Sequence, residues 1–375
     1  MKLLLKIMIG IIILGLIVLV FVFISPRKEL LQTIKNFNAL MEIKDIFIKG
    51  WEENSPRWEV HARSALMKKQ DQIELFDIID GTVFDNHKKS IIYDIQAKHA
   101  DVVLSEKNIN LTDVTALVKA SKFDIKQSIG FFARRVSYTE RDKTLYLYDD
   151  IRIRQNNILV SATYGLLNCQ NQWVKFSNGF NYREKDVAVN GEQLWVDLNK
   201  NEISMEGKLR IIKADKFKLN CDNLRREITD DGEIYYLGGN IVIQKEDQVL
   251  KGQVGRYLEA EEKLFIDDRV ELIISTDNTA TVKKNEQKKV LKADHIALDF
   301  KNKVIEYSGP IRYTQADLEI VAANGIQDLR NNWITLYGNV RLTQNKRHLQ
   351  CETVKLYFNT GEVEATGKIF TKITI

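Results

Sequence analysis

The chain has 375 residues, of which 44% are hydrophobic and 28% are charged, with only 3 Pro and 3 Cys. Its 55 basic and 51 acidic side chains leave a formal net charge of +4. This composition excludes a disordered chain, collagen, a disulfide framework and a polytopic membrane protein, and the near balance of interspersed charges argues against a nucleic-acid-binding protein.

The amino-terminal segment is the most apolar stretch of the chain. Residues 7–24 carry no charge, and with the apolar residues before Lys6 they reach about 33 Å as a helix, enough to cross a hydrocarbon core of about 30 Å. The sequence therefore predicts one transmembrane anchor over residues 1–25. A cleaved signal peptide is the alternative, but cleavage needs small residues around the cut, and the first alanine is Ala39.

Residues 26–42 follow as a polar stem whose apolar residues have a helix-like spacing. The basic residues on the two sides of the anchor are nearly equal in number, but a short amino-terminal tail favours leaving Met1 in the cytoplasm and exporting the long remainder. In a bacterium this predicts a single-pass inner-membrane protein with the bulk of the chain in the periplasm.

The rest of the chain repeats with a period close to 30 residues. A column of small residues marks ten units: Ala62, Ala97, Ala133, Ala162, Gly191, Cys221, Gly252, Ala293, Ala322 and Cys351. An apolar residue stands two positions before each marker. A turn follows at 8 to 10 positions, apolar pairs follow at 12 and 14 and at 18 and 20, and Gly, Asp or Asn usually stands at 16.

All of these offsets are even, and side chains two residues apart share a face in a strand but not in a helix. Each unit is therefore predicted to be two strands joined by a turn, with the second strand bent or bulged at position 16. The fold class is all-β, an elongated double sheet of about ten two-strand repeats, of sandwich, jelly-roll or solenoid type. Stacked units at about 4.8 Å each would extend roughly 48 Å.

The sequence holds no catalytic or metal-binding motif in a supporting context. No two His have metal-pair spacing, and Asp149-Asp150, Asp230-Asp231 and Asp267-Asp268 each fall on a predicted turn or bend, where Asp bonds the local backbone. The three Cys fit structural thiols. We predict no enzyme and no cofactor; a β-helix carbohydrate enzyme that uses the Asp pairs is a third interpretation.

The apolar columns leave two interpretations open: a dry core about 10 Å thick, or sheets that splay to leave a slot for acyl chains. The candidate groove residues are Leu145, Leu147, Val189, Ile203, Met205, Leu219, Leu264, Ile266, Leu298 and Tyr307. Residues 367–375 read as a strand without a cap, whose edge would accept a partner strand. The candidate edge residues are Ile369, Thr371, Ile373 and Ile375.

The repeats resemble a known family. The phrase KADHIALDF at residues 292–300 with VIEYSGPI at 304–311, repeated as VAANGIQDL at 321–329 and ITLYGNV at 334–340, resembles the OstA-like repeat of lipopolysaccharide transport proteins such as LptA. The anchor followed by WEVHARSA at 58–65 resembles the front of LptC. Residues 43–130 are accordingly predicted to be LptC-like and residues 131–375 LptA/OstA-like.

The resemblance implies a twisted β-jelly roll whose apolar groove accepts lipid A acyl chains from an inner-membrane ABC transporter and passes them toward the outer membrane. The partners it implies are lipopolysaccharide, that transporter, the membrane through the anchor, and a periplasmic or outer-membrane jelly-roll protein added at the edge strand. It carries over no catalytic residue and leaves open whether a separate bridge protein is needed. The alternative function is a membrane-anchored structural or docking scaffold with a dry core.

Overall fold

The computed structural model describes residues 41–373 except 53–54, 70, 85–88, 119–128, 140, 201, 214–216, 247, 276–287, 346 and 359. These residues form β-strands, which confirms the all-β prediction. No helix in this part of the chain is long and apolar enough to cross a membrane. The predicted anchor and all of the stem except Met41 and Glu42, which begin the first strand, lie outside the described residues.

The strands are β1 Met41–Glu52, β2 Ser55–Lys69, β3 Gln72–Phe84, β4 Ser90–Val103, β5 Asn108–Val118, β6 Ile129–Thr139, β7 Thr144–Gln155, β8 Ile158–Asn168, β9 Trp173–Glu184, β10 Val187–Gly191, β11 Gln193–Asp197, β12 Glu202–Lys213, β13 Phe217–Thr229, β14 Gly232–Lys245, β15 Gln248–Leu258, β16 Lys263–Ser275, β17 Lys288–Asp299, β18 Val304–Gln315, β19 Leu318–Asp328, β20 Trp333–Gln344, β21 Arg347–Tyr357, β22 Val363–Thr366 and β23 Phe370–Ile373.

Each strand pairs antiparallel with its neighbours along the chain, so a single sheet runs from β1 to β23. β10 and β11 share one position between β9 and β12, and β22 and β23 share the last position beside β21. β5 pairs with β6 along its whole length. The sheet is therefore continuous across residue 130, and the division into 43–130 and 131–375 stays a prediction.

The predicted units correspond to consecutive strand pairs. In the fourth unit, for example, the marker Ala162 lies in β8 and the turn that follows leads into β9. Every marker residue is buried except Gly191, which is half-buried. The three cysteines are free and buried, and burial raises the pKa of the Cys221 thiol to about 12, as expected for structural thiols.

Most strands change register near their middle, and the extra residues have left-handed backbone angles. In β7 the shift lies between Tyr148 and Ile151, where Asp149 and Asp150 have φ of 58° and 48°. In β18 the same place is taken by Gly309, with φ of 88°. These are β-bulges, which bend a strand sharply. The predicted position-16 bend is confirmed in these strands, and the carboxylates of Asp149 and Asp150 accept hydrogen bonds from Arg135 and Arg152.

The bends fold the sheet lengthwise into two leaves with the core between them. We name the leaves by their place in each unit. Leaf A consists of the residues before the bend in the first strand of the unit and of those after the bend in its second strand. Leaf B consists of the residues between the two bends. Leu147 in leaf B and Ile153 in leaf A lie on either side of the β7 bend and line the same interior cavity. Both halves of a strand therefore contribute inward side chains to one core.

The two leaves are offset along the sheet. Lys289, at the start of β17 in leaf A, donates a 2.9 Å hydrogen bond to the carbonyl oxygen of Phe358, which follows β21 in leaf B. The ring of Tyr313 in β18 lies 6.4 Å from the ring of Phe358. A strand of leaf A thus packs against strands that come later in the chain in leaf B.

Two expectations are corrected by this arrangement. Both strands of a unit cross both leaves, so each unit adds two strand spacings, and the sheet extends roughly 100 Å along its length, twice the expected 48 Å.

The prediction that inward residues stand at even offsets from the marker also fails in the second half of the first strand of each unit. After the inward Ala162, the next buried residues are Gly165 and Leu167, at odd offsets, because the bend takes one residue out of the alternation.

Candidate functional site

The interior between the leaves brings together all ten candidate groove residues in one contiguous core. Leu145, Leu147, Val189, Met205, Leu219, Leu264, Ile266 and Tyr307 are buried, and Ile203 and Leu298 are half-buried. Lys218, the outward neighbour of Leu219, is exposed. The ten residues face the interior, as expected. Their binding of an acyl chain stays a prediction.

The interior is filled by its own side chains in the structure. A cavity of about 20 Å³ lies between the leaves, lined by residues such as Phe131, Leu147 and Leu167, and it has room for about one water molecule. Larger depressions of about 430 and 550 Å³ lie on the outer face and are lined by polar side chains such as Glu206 and Arg225. An acyl chain would enter the interior only after the leaves separate.

The long side opposite the bends is where the strand ends of the two leaves meet, and we call it the seam. It is lined by half-buried apolar side chains packed against the core: Ile153, Ile158, Val187, Phe217, Ile243, Ile274, Leu318, Leu342 and Leu349 from leaf A, and Val196, Ile203, Tyr235, Tyr257, Leu298 and Phe358 from leaf B. The seam is thus a row of apolar residues with partial access to solvent.

A polar cluster interrupts the seam between β9 of leaf A and β13 and β14 of leaf B. Nη1 of Arg226 donates to Oε2 of Glu184 at 3.4 Å, and Nη2 donates to Oε1 of Glu233. The hydroxyl of Tyr182 donates to Glu184 at 2.6 Å, and that of Tyr235 donates to the other oxygen of Glu233. We call these five residues the Arg226 cluster.

The ionisation of this cluster follows from its burial and pairing. Burial raises the pKa of the Tyr182 and Tyr235 hydroxyls, and their hydrogen bonds to carboxylates raise it further, so both remain protonated donors. Burial alone would raise the pKa of Glu233, but the hydrogen bonds from Arg226 and Tyr235 hold it below its ordinary value of 4.5. Arg226 and Glu233 therefore face each other as an ion pair.

The pairing of Glu233 predicts a dependence of stability on acid. Because its pKa is lower in the folded than in the unfolded protein, its stabilising contribution is complete above about pH 4.5 and is lost as the pH falls through the folded-state pKa. Glu233→Gln is expected to show a smaller loss of stability than the wild type between about pH 6 and pH 3, measured as the shift in urea midpoint. Glu227→Gln, which removes a carboxylate beside Arg225 on the outer face, is the control. An equal effect of both changes would contradict a specific contribution of Glu233.

A second polar pair lies deeper in the interior. The hydroxyl of Tyr307 donates to Oε1 of Gln327, and each residue is only 2% exposed. Burial raises the pKa of the Tyr307 hydroxyl, which stays protonated. Even-offset reasoning missed Gln327 and Arg226, since both lie five residues after their unit's marker, beyond the bend.

Structure also brings together three possible metal ligands that the sequence separates. Glu74, His99 and Asp101, on β3 and β4, have ligand atoms within 4.8 Å of one another. The Nζ of Lys68 pairs with Glu74, and the imidazole of His99 packs against the ring of Phe76 at 5.1 Å between centroids. A lysine therefore already occupies one carboxylate of this cluster.

The carboxyl-terminal edge differs in detail from the predicted strand 367–375. Gly367, with φ of 91°, separates β22 from β23, which begins only at Phe370. In the described chain these two strands pair only with β21, which leaves their other edge open. Ile369 and Thr371 are exposed, Ile373 pairs with Arg347 through the backbone, and Ile375 lies outside the described residues. Phe370, 67% exposed, was not predicted as an edge residue.

No family model matches this chain. No curated protein matches it either. Among solved structures, the chain is similar to the crystal structure of LptH, the LptA-homologous periplasmic component of the conserved lipopolysaccharide transport device from Pseudomonas aeruginosa. The match covers 50% of this chain and 95% of LptH, at 10% sequence identity and a TM-score of 0.15. A likeness at this level carries no weight for the function of this chain.

Proposed function

We propose that this protein is a membrane-anchored periplasmic bridge that binds lipopolysaccharide, with lipid A acyl chains between its leaves and the headgroup in solvent. In this proposal it receives the lipid from an inner-membrane ABC transporter and passes it toward the outer membrane. Residues 1–25 supply the anchor. The bridge needs no catalytic group, because directional movement comes from the transporter.

The observation that carries this proposal is the seam. Fifteen half-buried apolar residues follow the open side of the sheet from Ile153 to Phe358, over most of the repeats. Extended apolar surfaces within reach of solvent are uncommon in soluble proteins, and they mark binding sites for apolar partners. Most strands from β7 to β21 add to this row, so an alkyl chain on either side of the Arg226 cluster meets apolar positions in successive units.

Opening the seam has an energetic cost that acyl chains can offset. Separating the leaves exposes inward side chains, each of which contributes about 1.5–3 kcal/mol when fully buried. An acyl chain inserted between the leaves re-covers those side chains and is itself shielded, at about 0.8 kcal/mol per methylene. The filled interior and the lipid-bound state are therefore two alternative packings of one apolar surface.

A photo-crosslinking amino acid placed along the interior tests the proposal in cells that make lipopolysaccharide. Leu298, half-buried at the seam, and Leu219 and Met205, deeper in the core, are expected to give lipopolysaccharide adducts. Lys218 is the matched control, because it is the neighbour of Leu219 on the same strand and faces solvent. It is expected to give no adduct.

Equal labelling at Leu219 and Lys218 would contradict a lipid-binding interior, because labelling would then not depend on the face of the strand. Absence of adducts from all three inward positions in folded protein would also contradict it. Stability measurements on each variant establish that the crosslinker has not unfolded the repeat.

A structural or docking scaffold is the second candidate, and the filled interior favours it. A scaffold of this kind would carry a dry core and bind only through its edge. The exported domain would then purify without lipid from cells that make lipopolysaccharide. Stoichiometric lipopolysaccharide in the purified protein would contradict the scaffold.

The open edge of β22 and β23 supports a partner for either function. Unpaired backbone groups and the exposed Val363, Ile369 and Phe370 form a surface on which another β-sheet protein could continue the ladder. We infer that the partner is a periplasmic or outer-membrane jelly-roll protein added at this edge, with Ile369, Thr371, Ile373 and Ile375 at the contact.

A further inference from the structure

Arg226 is an exception among equivalent positions of the repeat. The residue five positions after the marker faces the interior, and in the other units it is Met67, Val102, Tyr138, Leu167, Val196, Tyr257, Leu298, Gln327 or Leu356. Only the sixth unit places a charge there, and Arg226 is 8% exposed. A buried arginine is therefore built into a wall that is otherwise apolar or uncharged.

The cost of this burial argues against a purely stabilising role. Two charges removed from water recover their desolvation cost only with excellent geometry, and apolar residues of similar size are often as stable or more stable in such places. The contact between Arg226 and Glu184 is long, at 3.4 Å, against the usual 2.7–2.9 Å for a charge-assisted hydrogen bond. Arg226 therefore holds its leaf A partner only weakly.

The guanidinium also has unused hydrogen-bonding capacity. Nε of Arg226 is buried and has no acceptor among the described residues, although arginine donors in such surroundings normally find one. Nη2 of Arg226 donates to Glu233, which also accepts a hydrogen bond from Tyr235, and both partners lie in leaf B. Arg226 is thus held in place by residues of its own leaf. Its Nε donor has no acceptor among the described residues, and its Nη1 donor makes only the long contact to Glu184 across the seam.

We propose that Arg226 binds the oxyanion headgroup of an acyl amphiphile at the seam, in exchange for Glu184. This inference rests on the proposed function, since it assigns a headgroup site to the same interior. When the leaves separate, Glu184 and Tyr182 move away with leaf A, while Arg226, Glu233 and Tyr235 stay together in leaf B. A phosphate or carboxylate oxygen of the ligand then takes the place of the Glu184 carboxylate, with its alkyl chain among the neighbouring apolar residues.

Arginine suits this exchange because its planar donors match the oxygens of phosphate and carboxylate. The apolar neighbours at the seam, such as Ile203, Tyr257 and Leu298, lie within the same row and would accept the alkyl chain. Glu184 acts as an internal competitor for the headgroup. Removal of the Glu184 carboxylate should strengthen oxyanion binding, whereas loss of Arg226 should abolish the preference for an oxyanion headgroup.

Calorimetric titration of the full chain with two amphiphiles of equal chain length tests the proposal. Dodecyl phosphate carries the oxyanion and dodecyl maltoside is uncharged, and both are used below their micelle-forming concentrations. The wild type is expected to bind dodecyl phosphate about 10- to 100-fold more tightly than dodecyl maltoside. Arg226→Met is expected to remove this preference, and Glu184→Gln is expected to increase the affinity for dodecyl phosphate.

Arg225→Met is the matched control, because Arg225 is the neighbouring residue on the outer face, with its side chain 52% exposed and paired with Glu202 and Glu227. It is expected to keep the preference. Inorganic phosphate is expected not to compete with dodecyl phosphate at millimolar concentration, because the alkyl chain supplies most of the affinity.

Equal binding of the two amphiphiles by the wild type would overturn the assignment of Arg226 as the headgroup site. The proposal that the interior binds amphiphiles would survive that result. An unchanged preference in Arg226→Met, or competition by inorganic phosphate, would overturn the assignment of Arg226 as well. Failure of both amphiphiles to bind would overturn the proposed function, and this inference with it. Since Met replaces Arg where other units have apolar residues, the variant is expected to fold, and Glu184→Gln provides an independent readout.

Discussion

Phe176→Ala is expected to lower the free energy of unfolding by about 3–5 kcal/mol. Phe176 is an inward residue of β9 and is only 1% exposed. Its ring lies over Gly165, where an added Cβ would come within 2.8 Å of the ring carbons. Because Gly165 has no side chain that could fill the space, truncation of Phe176 leaves a cavity that the surroundings cannot close. Urea unfolding followed by tryptophan fluorescence measures the loss.

The matched control is Phe132→Ala. Phe132 has the opposite parity, on the outer face of β6, where the guanidinium of Arg152 lies 5.6 Å from the ring centre. Phe132 is half-buried, so its truncation is expected to cost about 1–2 kcal/mol, less than Phe176→Ala, because less apolar area is covered and no enclosed cavity is left. Similar losses for the two variants would contradict a core that lies on one face of the sheet only.

Gly252→Ala is expected to destabilise the protein by about 1–3 kcal/mol, although alanine is normally preferred over glycine in a strand. A Cβ at Gly252 would overlap Cγ2 of Ile266, while the next nearest atom, the carbonyl oxygen of Asp267, is 3.6 Å away. Ile266 is fully buried and its branched side chain is stiff at χ1, so the methyl group cannot move aside. The small-residue column thus reflects close packing at the bends.

A double-mutant cycle isolates this contact. Ile266→Ala removes the clashing methyl and costs about 2–5 kcal/mol alone. In that background Gly252→Ala is expected to be neutral or slightly stabilising, which gives a coupling energy of about 1–3 kcal/mol. Gly130→Ala is the control, because the nearest atoms to its Cβ lie at 3.8 Å and nothing must move. Additive effects of Gly252→Ala and Ile266→Ala would contradict the proposed origin of the small column.

The strands, their turns and most inward residues could be predicted because they depend on local alternation. Val174 and Phe176, then Phe180 and Tyr182, stand at the predicted offsets and are all buried. The bulge in β9 inserts its extra residue without changing the parity of these offsets, whereas in β3 and β5 buried residues such as Leu75 and Val114 stand at odd offsets from their markers. Nine of the ten candidate groove residues stand at even offsets and face the interior; Leu298, five positions after its marker, faces it as well, and lipid binding by these residues stays a prediction.

Two features of the structure could not be predicted from the local sequence pattern. The bend in each first strand shifts the alternation by one residue, so Arg226 and Gln327 looked like outward positions although they face the interior. The offset between the leaves brings Glu184 to Arg226 and Lys289 to Phe358. Such partners are set by the twist and bending of the whole sheet, and no spacing within a unit encodes them. The filled interior likewise depends on how closely the leaves approach.

Apart from the divided strands β10/β11 and β22/β23, strands pair only with their chain neighbours, and this has a consequence for how such a protein can change over generations. Gain or loss of one unit by duplication or deletion alters the reach of the body by two strand spacings, about 10 Å, while every cross-section keeps the same architecture. Length and interior chemistry are thereby separable traits: the number of units adjusts the first, and single inward substitutions such as the arginine of the sixth unit adjust the second.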